Sequence, residues 1–198
     1  MQDLKFPIKF IFKISSLAND FTAVDVNNKV VAYVRQKMFK LKEDIDIYQD
    51  ESKSRKLYQI KADKWIDFST VYSFTDHVGQ PVGKIGRKGW ASLWKANYDI
   101  FDHQNVLKYH VQEENGWIKV IDSLFSEIPI LGMLTGYFFN PSYLVANKQG
   151  DSVAKLSKEP SFWGRRFEVT KLMDLDGRDD DCIMLGLMMM ILLERRRG

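Results

Sequence analysis

The residues of this chain that could do chemistry are few: His77, His103 and His110, one cysteine, Cys182, and an acidic stretch holding Asp174, Asp176, Asp179, Asp180 and Asp181. No histidine pair has helical spacing for a shared metal. His103 and His110 flank one hairpin, and two histidines without a third ligand fall short of a zinc or iron site. Cys182 follows three aspartates whose charge opposes the lowered thiol pKa that a helix N-terminus would give, so no nucleophile is expected. Phosphate loops and dinucleotide fingerprints need glycines that open a helix, whereas Gly83, Gly86 and Gly89 punctuate a strand and the kink after it. No catalytic residue and no cofactor is expected.

What remains is binding chemistry. Lys84, Arg87, Lys88 and Lys95 interleave with Trp90 and Trp94, and Arg165 and Arg166 occupy an equivalent basic kink further on. Lysine and arginine bind phosphate headgroups, and tryptophan favours the boundary between water and hydrocarbon. The same mixture suits single-stranded nucleic acid. The charge balance speaks against that partner: 29 Lys and Arg against 26 Asp and Glu leave only +3, far from the concentrated basicity of most nucleic-acid binders. Anionic phospholipid headgroups are the expected partner, and no nucleic acid is expected. A second candidate surface is the apolar stretch holding Ile130, Leu131, Met133, Leu134, Tyr137, Phe138 and Phe139, which no charge interrupts. It suits a protein partner or a second copy of the chain.

The elements that must position these residues are mostly strands. One pattern recurs four times: an aromatic residue, Asp or Asn four positions on, Gly or Asn at seven, an aliphatic residue at thirteen. The copies run Phe21, Asp25, Asn28, Val34; Tyr72, Asp76, Gly79, Ile85; Tyr98, Asp102, Asn105, Val111; and Tyr143, Asn147, Gly150, Leu156. Each reads as a β-hairpin turning on residues that tolerate positive φ or bond their own backbone. Ahead of them Leu4, Phe6, Ile8, Phe10, Phe12 and Ile14 alternate with lysines, as in a strand whose charges guard an edge. So many strands need their edges hidden, and closing the sheet removes them.

The run Ile183 to Leu193 (IMLGLMMMILL) is apolar on every side, fenced by Asp179–Asp181 before and Arg195–Arg197 after. As a helix it would cover roughly half the ~30 Å hydrocarbon core of a bilayer. It is too short to span, so it must be buried all round. Acids at its start and arginines at its end suit the helix dipole, and Gly186 inside it permits close approach of another backbone. A closed barrel offers the place for it. Trp117, Val120, Ile121, Leu124 and Ile128 recur at helical spacing, predicting one short amphipathic helix. The fold class expected is mainly β: a closed antiparallel barrel of about twelve strands around a buried C-terminal helix.

The segment Gly83 to Phe101 (GKIGRKGWASLWKANYDIF), following a strand that ends in Asp and a Gly-centred turn, resembles the LURP-one-related proteins and, more distantly, the phospholipid scramblase and tubby C-terminal domains. The resemblance covers most of the chain. It implies a single tubby-like domain over residues 1–198, with Asp46 to Asp67 and Trp117 to Phe139 as insertions. It also implies phosphoinositide headgroups as a ligand class. FEVTKLMDLD, Phe167 to Asp176, resembles the segment before the scramblases' terminal helix, which implies Asp174 and Asp176 as metal positions. The family's acidic residues just upstream fall here on Trp163, Gly164, Arg165 and Arg166, and two cations there would repel calcium. One cysteine and an N-terminus broken by Lys5, Lys9 and Lys13 point to a cytoplasmic protein, peripheral to the inner membrane surface. A non-enzymatic lipid-binding barrel is the leading expectation; an interaction module using residues 130–139 is the alternative.

Overall fold

A computed structural model describes residues 1, 4–13, 20–36, 44–63, 70–87, 97–114, 142–159 and 166–195. Twelve strands form a closed antiparallel barrel: β1 (Ile8–Phe12), β2 (Phe21–Val24), β3 (Val30–Gln36), β4 (Asp44–Tyr48), β5 (Lys56–Ala62), β6 (Val71–Asp76), β7 (Pro81–Arg87), β8 (Asn97–Asp102), β9 (Leu107–Glu113), β10 (Ser142–Asn147), β11 (Ser152–Glu159) and β12 (Arg166–Lys171). Each pairs with its neighbours in the chain, and β1 closes on β12 through Ile8 opposite Val169 and Phe10 opposite Phe167. The helix α1 (Gly177–Arg195) lies against β6, β7 and β8 and is buried continuously from Cys182 to Leu192. No helix among the described residues is long and apolar enough to cross a membrane.

The four repeated hairpins are β2–β3, β6–β7, β8–β9 and β10–β11, and the spacing has a direct cause. The aromatic residue and the aliphatic residue thirteen positions on are cross-strand partners: Phe21 with Val34, Tyr72 with Ile85, Tyr98 with Val111, Tyr143 with Leu156. All eight side chains are buried, so the spacing sets the register that keeps the apolar row on the inner face. Asp25, Asp76, Asp102 and Asn147 each accept two turn amides on one side-chain oxygen, at 2.8 to 3.0 Å. Asn28, Gly79, Asn105 and Gly150 hold the positive φ that the three-residue turn with its bulge requires.

A fifth tight hairpin joins β4 to β5. Asp50 caps it through the Ser52 amide at 2.9 Å, and Lys53 adopts φ 60°. Residues 46–67, set apart on resemblance alone, supply the end of β4 and all of β5, so that stretch includes barrel wall. The amphipathic helix expected over Trp117 to Ile128 lies outside the described residues. The N-terminal strand guards no edge. β1 is paired on both sides, and Lys9 reaches across the outer wall to Glu159 at 2.9 Å and Glu168 at 3.5 Å.

The antiparallel order gives the barrel two unlike rims. At one, here the turn rim, the five tight hairpins meet the link from β12 to α1. At the other, the loop rim, lie the strand ends flanking residues 14–19, 37–43, 64–69, 88–96, 115–141 and 160–165, and α1 ends there too. The helix enters at the turn rim because β12 finishes there.

Two glycines let α1 fit. A Cβ on Gly186 would stand 2.7 Å from Ile100 Cδ1, and one on Gly83 would stand 2.5 Å from both Cys182 Sγ and the Phe101 carbonyl oxygen. Along its length Met184, Met188, Met189 and Met190 have no exposed surface. Unbranched thioether side chains fill an irregular barrel interior, and each fully buried one contributes roughly 1.5–3 kcal/mol.

Candidate functional site

The acidic residues near the helix start serve the fold. Asp176 caps α1: its Oδ1 accepts the amides of Arg178 at 2.9 Å and Asp179 at 2.8 Å. Asp174 is exposed in the link before it. Asp179 accepts the Tyr109 hydroxyl at 2.7 Å and faces Lys108 at 3.5 Å; Asp181 accepts the Tyr58 hydroxyl at 2.7 Å and the Met1 amino group; Asp180 takes Lys171 at 2.8 Å. Burial, with the bonded carboxylate second, pushes the Tyr58 and Tyr109 hydroxyls well above the ordinary phenol range. These ties fasten the entry of α1 to β5, β9 and β12. They join residues far apart in the chain, and no local pattern announces them.

Cys182 sits just inside, its Sγ 3.5 Å from the Phe101 carbonyl oxygen, and burial pushes its thiol up to about 12. That is the reverse of an activated nucleophile. His110 bonds Asp99 on the outer wall, where the two are cross-strand partners, and His103 stands in the β8–β9 turn. Among the described residues no three His, Cys, Asp or Glu side chains converge as a metal site would require.

The strand ends on either side of the basic kinks stand on the loop rim. Three of the residues expected there are described, and they face three ways. Lys84 lies on the outer wall with Nζ 3.8 Å from Asp63. Arg166 opens β12 opposite Glu159 and is exposed. Arg87 falls on the inner row of β7, where its guanidinium carbon lies 5.9 Å from the centroid of the Tyr98 ring. Tyr98 donates its hydroxyl to Glu194 at 2.5 Å, and Arg195 stacks 3.9 Å above Phe12. A layer of cations on aromatic faces therefore closes the interior where α1 ends, each contact worth about 0.5–2 kcal/mol.

Lys88, Trp90, Trp94, Lys95 and Arg165 lie outside the described residues, as do Ile130, Leu131, Met133, Leu134, Tyr137, Phe138 and Phe139. The strand ends flanking them are described. Arg87 and Asn97, Glu114 and Ser142, and Glu159 and Arg166 all stand on the loop rim, with β9 and β10 between the first pair and the last. The expected lipid-binding and partner-binding segments thus leave from and return to one end of the barrel.

A LURP-one-related family model matches residues 30–179, from the first residue of β3 to the first turn of α1. A protein of Arabidopsis thaliana solved by X-ray crystallography aligns over 98% of this chain and 93% of its own, at 14% sequence identity and a TM-score of 0.48. Comparison with curated proteins finds no match.

Proposed function

The chain belongs to the LURP-one-related family, and from that premise we propose that it is an intracellular, non-enzymatic barrel whose loop rim binds acidic phospholipid or phosphoinositide surfaces peripherally. One observation carries the reading, and it is composition set against topology. The segments that join strand ends of the loop rim, together with residues 196–198 beyond the helix end, contain all five tryptophans of the chain. They hold ten Lys and Arg against four Asp and Glu. Elsewhere the chain is net acidic. Segments that combine tryptophan with excess positive charge suit an anionic interface, where tryptophan rests at headgroup depth and each cation contributes about 1 kcal/mol. Arg165, Arg166, Lys88 and Lys95, with Trp90 and Trp94, are the residues assigned to headgroups in this reading; Arg87, turned inward onto Tyr98, and Lys84, beside Asp63 on the outer wall, leave the assignment.

Co-sedimentation with neutral and with phosphatidylserine- or phosphoinositide-containing vesicles tests it, at low and high salt. Capture by acidic vesicles alone, lost at high salt, is the expected result. Reversing two charges with Lys88→Glu and Arg165→Glu should lower capture by more than roughly tenfold, at about 1 kcal/mol per cation. Capture indifferent to salt and to those reversals would sink the headgroup assignment. A salt-insensitive dimer broken by Met133→Asp or Phe138→Asp would move the reading to the apolar segment 130–139.

A further inference from the structure

All five hairpin turns of the turn rim and the link to α1 are described, and six large apolar side chains stand exposed there: Val26 and Val30 beside the β2–β3 turn, Val78 in the β6–β7 turn, Val106 after the β8–β9 turn, and Leu172 and Met173 in the link. The described residues expose no other large apolar side chain. Val78 is 64% exposed and Val26 53%. Single exposed apolar residues are ordinary, but their gathering at one end is not. They form two arcs. The β2–β3 turn and the link flank β1, and the β6–β7 and β8–β9 turns stand side by side across the rim, with β3 to β6 between the arcs on one side and β9 to β12 on the other. The middle of each intervening stretch carries a charged turn: β4–β5 exposes Lys53 and Arg55, and β10–β11 exposes Lys148 and Asp151.

The acids at the mouth of α1 ask for no outside partner, since Asp179, Asp180 and Asp181 are bonded within the chain. The two charged turns differ. Lys53 is drawn back over the Tyr33 ring, 5.8 Å from its centroid, which leaves Arg55 as the outward cation of its turn, with no acidic partner among the described residues. Asp151 accepts the neutral amide of Asn147 at 3.1 Å and meets no cation among them. Both turns carry both signs of charge, so neither repels the other as a whole. They also lie opposite each other across the rim, midway between the arcs. A two-fold axis in the plane of the rim, running through both arcs, therefore lays each arc on its own counterpart and the β4–β5 turn on the β10–β11 turn of a second copy. Arg55 then faces Asp151 twice. We propose that the turn rim receives the turn rim of a second copy, forming a closed dimer with aliphatic arcs in contact and an Arg55–Asp151 pair at each side. Such an interface is isologous, so association stops at two.

The test is sedimentation velocity of the full chain over a range of concentrations, with folding of each variant checked by circular dichroism. The wild-type chain should pass from monomer to dimer and grow no further. Val26→Asp with Val78→Asp places a charge in each arc and should weaken association by more than about a hundredfold; Met173→Asp serves if that pair does not fold. Arg55→Asp and Asp151→Arg each set like charges face to face twice, and each alone should weaken association by more than roughly tenfold. The two mixed should recover wild-type association as a one-to-one heterodimer, since each supplies the charge the other lacks. A wild-type chain that stays monomeric or grows past a dimer, a dimer indifferent to the arc variants, a mixture no tighter than its components, or a dimer broken by Met133→Asp or Phe138→Asp would each overturn the proposal. The loop rims of this dimer point away from each other and one vesicle meets only one of them. Vesicle capture by the turn-rim variants should therefore be unchanged, so this inference and the lipid reading fail separately.

Discussion

Gly186→Ala tests how closely α1 and the wall are fitted. The added methyl would stand 2.7 Å from Ile100 Cδ1, 3.2 Å from its Cγ1 and 3.7 Å from Ile85 Cδ1. Two effects oppose. Alanine is a better helix former than glycine by about 1 kcal/mol, while forcing a methyl into a filled core costs about 1–3 kcal/mol. The clash falls on the far end of one side chain and so is partly relieved by movement, leaving a net loss of about 1 kcal/mol. Ile100→Val removes the atom at 2.7 Å and alone costs about 0.5–1.5 kcal/mol through the space it leaves. Combined, the new methyl occupies that space, and the double variant should be more stable than the sum of the singles by about 1–2 kcal/mol. Urea denaturation of the four proteins at one pH measures the cycle. Additivity within about 0.5 kcal/mol, or Gly186→Ala stabilising by the full helix-propensity gain, would refute the packing argument. Gly83→Ala should admit no such rescue, because its methyl would also meet the Phe101 carbonyl oxygen at 2.5 Å, which Cys182→Ala leaves in place.

The tyrosines tying α1 to the wall predict an alkaline limit. Tyr58, Tyr98 and Tyr109 have folded-state pKa values raised above that of the unfolded chain, so their stabilisation is complete below about pH 10 and declines above it. The slope is about 1.4 kcal/mol per pH unit for each. Urea midpoints should be level from neutrality to about pH 8, decline gently from there as the buried Cys182 thiol resists ionising, and fall steeply past about pH 10, with Tyr109→Phe making that steep fall shallower; an unchanged slope would count against the assignment. Asp176→Ala, losing the cap of α1, should cost about 1 kcal/mol in the same assay, whereas exposed Asp174→Ala should stay within about 0.5 kcal/mol. Lys53→Gly should raise the melting temperature, because glycine relieves a left-handed residue strained by about 1 kcal/mol.

Much of the barrel was legible because its inner face repeats a visible pairing. Aromatic and aliphatic partners thirteen positions apart, with an Asx acceptor and a left-handed residue between them, mark four hairpins in the bare sequence. The β4–β5 hairpin escaped for a definite reason. Asp46 and Gln59 occupy the facing positions where the others have an aromatic and an aliphatic residue, and Lys53 takes the left-handed position without being Asn or Gly. The burial of α1 was legible in its unbroken apolar run and in Gly186. Its anchoring was not, since Tyr109 and Asp179, or Tyr58 and Asp181, meet only once the barrel has closed. Arg87 shows the same limit: in a basic run it reads as a surface cation, but strand alternation turns it inward onto Tyr98.

The seam between β1 and β12 governs when the molecule can become complete during synthesis. β1 leaves the ribosome first and gains its second neighbour only after β12 has emerged, and α1 follows later still. Until then the inner rows of the wall, Phe10, Phe21, Phe74 and Ile85 among them, line a trough without its central rod. Contacts between such distant parts of a chain form slowly, because loop closure must precede the burial that rewards it. A nascent chain stalled short of Phe167 cannot shield Phe10. The interval between translating β1 and threading α1 is when this protein depends most on whatever protects unfinished chains.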